Sequence, residues 1–100
     1  MKKAGPMQVH EVLQKYLADT TVGERIEEAS VVPEWRDRVG DAIAAVTVPL
    51  RVSRGELVVG VRSSAWLAEL RLMQVEIVRR LNIGRERGKI RKIRFQMLDG

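Results

Sequence analysis

The stretch that decides the fold is TVPLRVSRGELVVGVRSS, residues 47–64. Val48, Leu50 and Val52 alternate with Thr47, Pro49, Arg51 and Ser53, and Leu57, Val59 and Val61 alternate with Glu56, Val58, Gly60 and Arg62. A period of two sends successive side chains to opposite faces, so the stretch predicts two strands. Arg54-Gly55 between them fits a tight hairpin, in which glycine takes the positive φ that branched residues resist. Pro49 has no N–H for a ladder, which predicts an edge strand or an unpaired position for Pro49.

Toward the carboxyl end the period lengthens. Ser63-Ser64 provides an N-cap for a long helix, about Ala65 to Leu81. Steps of 100° gather Trp66, Leu70, Met73, Ile77 and Leu81 on one face, which should lie on the sheet. Leu72, Val75 and Ala68 fall on the far side, where a solvated helix would carry charge, so a second cover is expected, either the amino-terminal helices or a partner. Asn82-Ile83-Gly84 ends the helix. Gly84-Arg85-Glu86-Arg87-Gly88-Lys89 reads as a mobile basic loop, and a last strand follows with Ile93, Phe95 and Met97 inward and Lys92, Arg94 and Gln96 outward.

Toward the amino end, Gly5-Pro6 makes residues 1–6 a loose basic tail. Val9, Val12, Leu13, Tyr16 and Leu17 recur at helical spacing over residues 7–18, with His10 on the solvated side. Thr21-Val22-Gly23-Glu24 has the form of a capping box, so a second helix should open at Val22. Pro33 should end or kink it and begin a third segment carrying Trp35, Val39, Ile43 and Val46, with Gly40 inside it marking a close approach of two backbones. The predicted order ααα-ββ-α-β describes one α+β domain over residues 7–98, a three-stranded sheet with helices on one face.

Composition narrows the function. At 100 residues, 45% hydrophobic and 31% charged, the chain has the makeup of a single globular domain. It has no cysteine and a single histidine, which removes disulfides, thiolate metal sites and His-rich ligand sets. The sequence contains neither a membrane-spanning run nor a signal-peptide core, so a cytoplasmic protein is expected. No nucleophile elbow, Walker loop or HExxH motif is present, and Glu24, Glu27 and Glu28 read as a solvated helix face. Gly84–Gly88 follows a helix and precedes a strand, the reverse of the order that aims a helix N-terminus at phosphate. The expectation is a binding protein rather than an enzyme, without metal, cofactor or small-molecule substrate.

Charge points to the partner. Residues 1–50 hold 6 Lys/Arg against 8 Asp/Glu, while residues 51–100 hold 12 against 5. A clustered positive field attracts phosphates or acidic protein surfaces, or merely keeps a face solvated. With the strand phases above, Arg51, Arg62, Lys92 and Arg94 should emerge on the outer sheet face, and Arg85, Arg87, Lys89 and Arg91 should extend from its rim. Arginine's planar fork suits bidentate phosphate contact. The four aromatics, Tyr16, Trp35, Trp66 and Phe95, occupy apolar-phase positions, so contact with the nucleic-acid backbone and weak sequence preference are expected.

The pattern Trp35-x-x-x-Val39-Gly40, Thr47-x-Pro49, Gly55-x-Leu57-x-Val59-x-Val61-x-Ser63-Ser64-x-Trp66-x-x-Glu69-Leu70, Leu81-Asn82 and Ile93-x-Phe95 resembles the DciA family. The likeness covers about residues 7–98 and is most specific from Gly55 to Leu70. It implies a KH-like fold and a bacterial, nucleoid-associated replication protein that binds DNA and the DnaB-type replicative helicase and assists helicase loading without hydrolysing ATP itself. The Gly-x-x-Gly clamp of KH domains is missing, since Gly84 and Gly88 are four apart. Many relatives carry a flexible extension, and a function residing there is not expected of this chain. Trp35, Gly40 and Trp66 match signature positions. The expected protein-facing set is Leu72 and Val75, with Trp35 and Trp66, although Trp66 shares the stripe of Leu70 and Ile77. Two other readings are a KH-like RNA-binding protein and an assembly subunit whose positive half meets an acidic neighbour.

Overall fold

A computed structural model of the chain describes residues 22–98. The expected tail, the helix over residues 7–18 with His10, and the Thr21 end of the capping box lie outside the described residues. Three short helices come first: α1 (Val22–Ala29), α2 (Val31–Val39) and α3 (Asp41–Ala45). The break before α2 falls at Ser30, not at Pro33, because a proline in the first turn gives up only an N–H that has no helical partner. Gly40 separates α2 from α3 at φ 93°, where L side chains are strained, and a Cβ there would meet nothing within 4 Å. Gly40 therefore serves a change of chain direction and not the expected close approach of backbones.

The sheet contains β1 (Thr47–Ser53), β2 (Glu56–Val61) and β3 (Lys92–Met97) in that spatial order. β1 and β2 form the expected hairpin, with Arg54 at φ 53° and Gly55 at φ 81°, the pair of positive values a two-residue primed turn requires. β2 and β3 are parallel, so a crossover must join them, and two helices supply it: α4 (Ser64–Leu72) and α5 (Gln74–Asn82). The single long helix expected here is broken at Met73, whose N–H is shared between the carbonyls of Glu69 (3.2 Å) and Leu70 (3.0 Å). Ser63 caps α4 as expected, its Oγ accepting from the Trp66 N–H at 3.3 Å.

β1 lies at a sheet edge, as Pro49 demands, and its register slips between Pro49 and Arg51. That bulge corrects the expected phase. Thr47, Pro49 and Val52 stand opposite the inward Val61, Val59 and Leu57, while Val48 stands opposite Gly60 on the outer face and Leu50 is the exposed extra residue. The core joins Leu57, Val59, Val61, Ile93 and Phe95 of the sheet to Leu70, Ile77 and Leu81 of the crossover and Val31, Trp35, Val39 and Ile43 of the front helices. Trp35 is its polar pin: Nε1 donates to Thr47 Oγ1 at 2.8 Å, and that hydroxyl donates to the Ile43 carbonyl at 2.7 Å. The architecture is α+β, with the element order ααα-ββ-αα-β over the described residues, and it does not conflict with a KH-like outline. Among those residues no helix is long and apolar enough to cross a membrane.

Candidate nucleic-acid interface

The expected basic residues separate into five placements. Arg51 and Arg94 both pair with Val58, so they lie in one cross-strand row of the outer face, about 10 Å apart at two strand spacings, with Val58 buried between them. The next row toward the hairpin holds Ser53, Glu56 and Lys92. Glu56 Oε2 is 3.8 Å from Lys92 Nζ and 3.5 Å from Arg94 Nε, so one carboxylate is shared by two exposed cations. Such pairs are screened and weak, which leaves the face positive.

The second group surrounds the hairpin tip. The Gly55 carbonyl accepts from the N–H groups of Arg91 (2.6 Å) and Lys92 (3.1 Å), bringing the approach to β3 against the turn. Arg91 Nη2 donates to the Arg54 carbonyl at 3.0 Å, and Lys89 is exposed beside it. Arg54 joins this group although the sequence reading treated it only as a turn residue. Its signal was its place beside the turn glycine, where a side chain at positive φ points away from the ladder. Arg87 is exposed and lies against α1 at Gly23. Arg62 stands at the opposite end of β2, its N–H bonded to the Val46 carbonyl, apart from the rest.

Arg85 departs from the expectation altogether. It is 8% exposed, and its guanidinium donates to the Leu81 and Glu27 carbonyls, to Ser30 Oγ at 3.0 Å and to Glu34 Oε1 at 3.1 Å. With its fork spent on the front helices it has nothing left for a phosphate. The loop it opens is likewise anchored and not the mobile segment expected. Asn82 donates from Nδ2 to the Ile90 carbonyl and accepts the Ile90 N–H at Oδ1, Ile90 is buried in the core, and Gly88 abuts the backbone of Glu27 and Glu28.

The expected protein-facing residues also divide. Leu72 and Val75 flank the Met73 break and are 84% and 85% exposed, so none of the described amino-terminal helices covers them. Gln74 between them donates to the Ile93 carbonyl, which fastens this turn to the sheet. Trp66 is half-buried and lines an apolar groove of about 630 Å³ with Val39, Ile43, Ala65 and Met73. Trp35 is 3% exposed, so it is corrected to a core residue. On α5, Arg79 and Arg80 are held by Glu76. Their hydrogen bonds, Arg79 first, bring the Glu76 carboxyl from 4.5 down to about 2, and Glu76 raises Arg79 in return. Among the described residues no group of three His, Cys, Asp or Glu is placed to hold a metal ion.

Residues 8–95 match the family described as "Dna[CI] antecedent, DciA". A UPF0232 protein of Mycolicibacterium smegmatis is 37% identical over 57 residues, 57% of this chain and 29% of that protein. A UPF0232 protein of Rhodococcus jostii is 31% identical over 71 residues, 71% of this chain and 38% of that protein. Another from Mycolicibacterium smegmatis, named for the recF-gyrB intergenic region, is 35% identical over 57 residues, 57% of this chain and 29% of that protein. The chain therefore spans about a third of the length of these curated relatives.

Proposed function

This chain belongs to the DciA family, and from that premise we propose that it is a DNA-replication adaptor that binds DNA and the DnaB-type replicative helicase and assists helicase loading. The observation that carries the DNA half is the placement of exposed Arg51 and Arg94 in one row of the outer sheet face, with Lys92 in the next row and Arg54, Lys89 and Arg91 at its hairpin end. Their charges add in one field, which draws a polyanion and requires no base-specific geometry. A salt titration tests it: binding of a single-stranded oligonucleotide should weaken with a log–log slope of about −3 to −4, as expected when ~4 to 6 phosphates are neutralised. A flat response would remove nucleic acid as the ligand and favour an acidic protein neighbour.

The helicase half rests on Leu72 and Val75. Two aliphatic side chains so exposed on a turn fastened to β3 present a small rigid knob, and burying them would contribute on the order of 3 to 6 kcal/mol before the costs of association. A knob without glycines cannot clamp a nucleotide backbone closely, so an apolar socket on a protein suits it better. Leu72→Asp should abolish co-purification with the host helicase while leaving the melting temperature within about 2 °C, because an exposed position has little stability to lose. Undiminished co-purification would move the contact elsewhere, with the Trp66 groove next to be tested. In this account the chain acts by binding, without catalysis or a cofactor.

A further inference from the structure

α1 is an unusual neighbour for the hairpin tip. It has Glu24, Glu27 and Glu28 against Arg25, none of its residues is buried, and Val22 and Ile26 are 58% and 63% exposed. A helix without a buried face is held by point contacts, and those of α1 are polar or steric: Arg85 on the Glu27 carbonyl and Ser30, Gly88 against Glu27 and Glu28, Arg87 against Gly23, and Glu28 on the turn. In the last of these, Glu28 Oε2 accepts the Gly55 N–H at 2.5 Å. That N–H belongs to the second turn residue and has no role in the hairpin ladder.

The cations around this contact are not answered by it. The Arg91 guanidinium lies over Gly55, where a Cβ would sit 2.8 Å from its Nε. Among the described residues no carboxylate lies within 4.0 Å of a cationic nitrogen of Arg54, Lys89 or Arg91. A carboxylate thus occupies a backbone donor beside three cations that no described carboxylate pairs within 4.0 Å, as an anion would. The geometry points to a phosphate site at the hairpin tip, formed by the Gly55 N–H with Arg54 and Arg91, that Glu28 closes in cis until a phosphate displaces it. Displacement is cheap in packing terms, since α1 leaves no buried apolar contact behind. The phosphate can come from a nucleic-acid backbone or from a free phosphate ion. The first source rests on the DNA-binding reading above, and the second does not.

The test compares the wild type with Glu28→Ala and Glu28→Gln. Anisotropy of a labelled oligothymidylate is measured across a salt series, and the Gly55 amide is followed by NMR as inorganic phosphate is added. Removing the competing charge should tighten oligonucleotide binding about 3- to 5-fold at low salt and steepen the slope by about 0.7, the share of one phosphate. The Gly55 resonance should move at a lower phosphate concentration in Glu28→Ala than in the wild type, where phosphate must first displace the carboxylate, and Arg91→Ala added to Glu28→Ala should cancel both gains. If losing the carboxylate loosens α1, Glu28→Gln keeps an acceptor for Gly55 while losing the charge, and its oligonucleotide affinity must still exceed that of the wild type. A Gly55 amide indifferent to phosphate in both variants, with affinity unchanged, overturns the site. A phosphate response with no oligonucleotide binding by any form upholds the site for free phosphate and overturns the DNA reading instead.

Discussion

The loop over residues 84–91 and the outer face of the sheet carry similar charge in the sequence and put it to opposite uses. In the loop, Arg85 turns inward and spends its fork on the Leu81 carbonyl of α5 and on a carbonyl, a hydroxyl and a carboxylate from residues 27–34, while Ile90 enters the core. On the sheet, Arg51 and Arg94 stand on strands whose other face is packed, and the pleat holds them toward solvent. A guanidinium can therefore be a fastening or a binding group. The distinction lies in how many acceptors the fold brings to it.

The comparison breaks most visibly at Arg85. Arg85→Ala removes a buried guanidinium that bridges four acceptors and leaves the Leu81 carbonyl without its side-chain donor, and should cost about 2 to 4 kcal/mol. For a domain of this size that lowers the melting temperature by about 10 °C or more in a thermal denaturation. An unchanged melting temperature with weakened DNA binding would return Arg85 to the binding set. The same loop can be challenged through its backbone at Gly88, which sits at φ 66° with a would-be Cβ 2.7 Å from the Glu28 N. Gly88→Ala should cost about 1 to 3 kcal/mol, since both the conformation and the contact oppose a methyl group. A neutral result would mean that the loop is not pressed against α1.

The sheet face should respond in the opposite way. Changing Arg51 and Arg94 together to Ala should leave the melting temperature nearly unchanged, weaken DNA binding about tenfold and flatten the salt slope by about 1.4, two phosphates at single-strand strength. Loss of stability without loss of binding would invert the assignment of the two regions. The smallest effect belongs to a third basic cluster, where Arg79 and Arg80 already have Glu76. Because the folded pKa of Glu76 lies near 2, below its ordinary 4.5, its contribution to stability is present above pH 4.5 and fades as the pH falls toward 2. Glu76→Gln should therefore melt slightly below the wild type at pH 7, and the two curves should converge near pH 2. A difference that grows on acidification would contradict that sign.

Much of the frame could be read from residues alone, and the failures have physical causes. The Arg54-Gly55 turn, the Ser63 cap, the helix end at Gly84 and the phase of β3 at Ile93 and Phe95 each depend on local chemistry, and each is found, whereas Met97, expected inward, is 42% exposed at the end of the strand. The break at Met73 has no glycine or proline to announce it, and the apolar stripe runs on through it, with Leu70 before and Ile77 after both buried. The bulge at Leu50 hides in the same manner, because an alternating pattern looks unbroken until partner strands fix its register. Arg85 was hardest to place. Three of its four acceptors come from residues 27–34, more than 50 positions away in sequence, and no periodicity links them. Of the expected basic set, Arg51, Lys92 and Arg94 share a face, Lys89 and Arg91 adjoin it, and Arg62 stands apart at the far end of β2.

The most direct measurement is an NMR titration of the protein with single-stranded oligothymidylate at low salt, read residue by residue. The account predicts the largest shifts at Arg51, Val58 and Arg94 and at the Arg54-Gly55 turn, with the Leu72–Val75 turn silent. Shifts gathered at Leu72–Val75, or a spectrum that does not move until the domain unfolds, would contradict it.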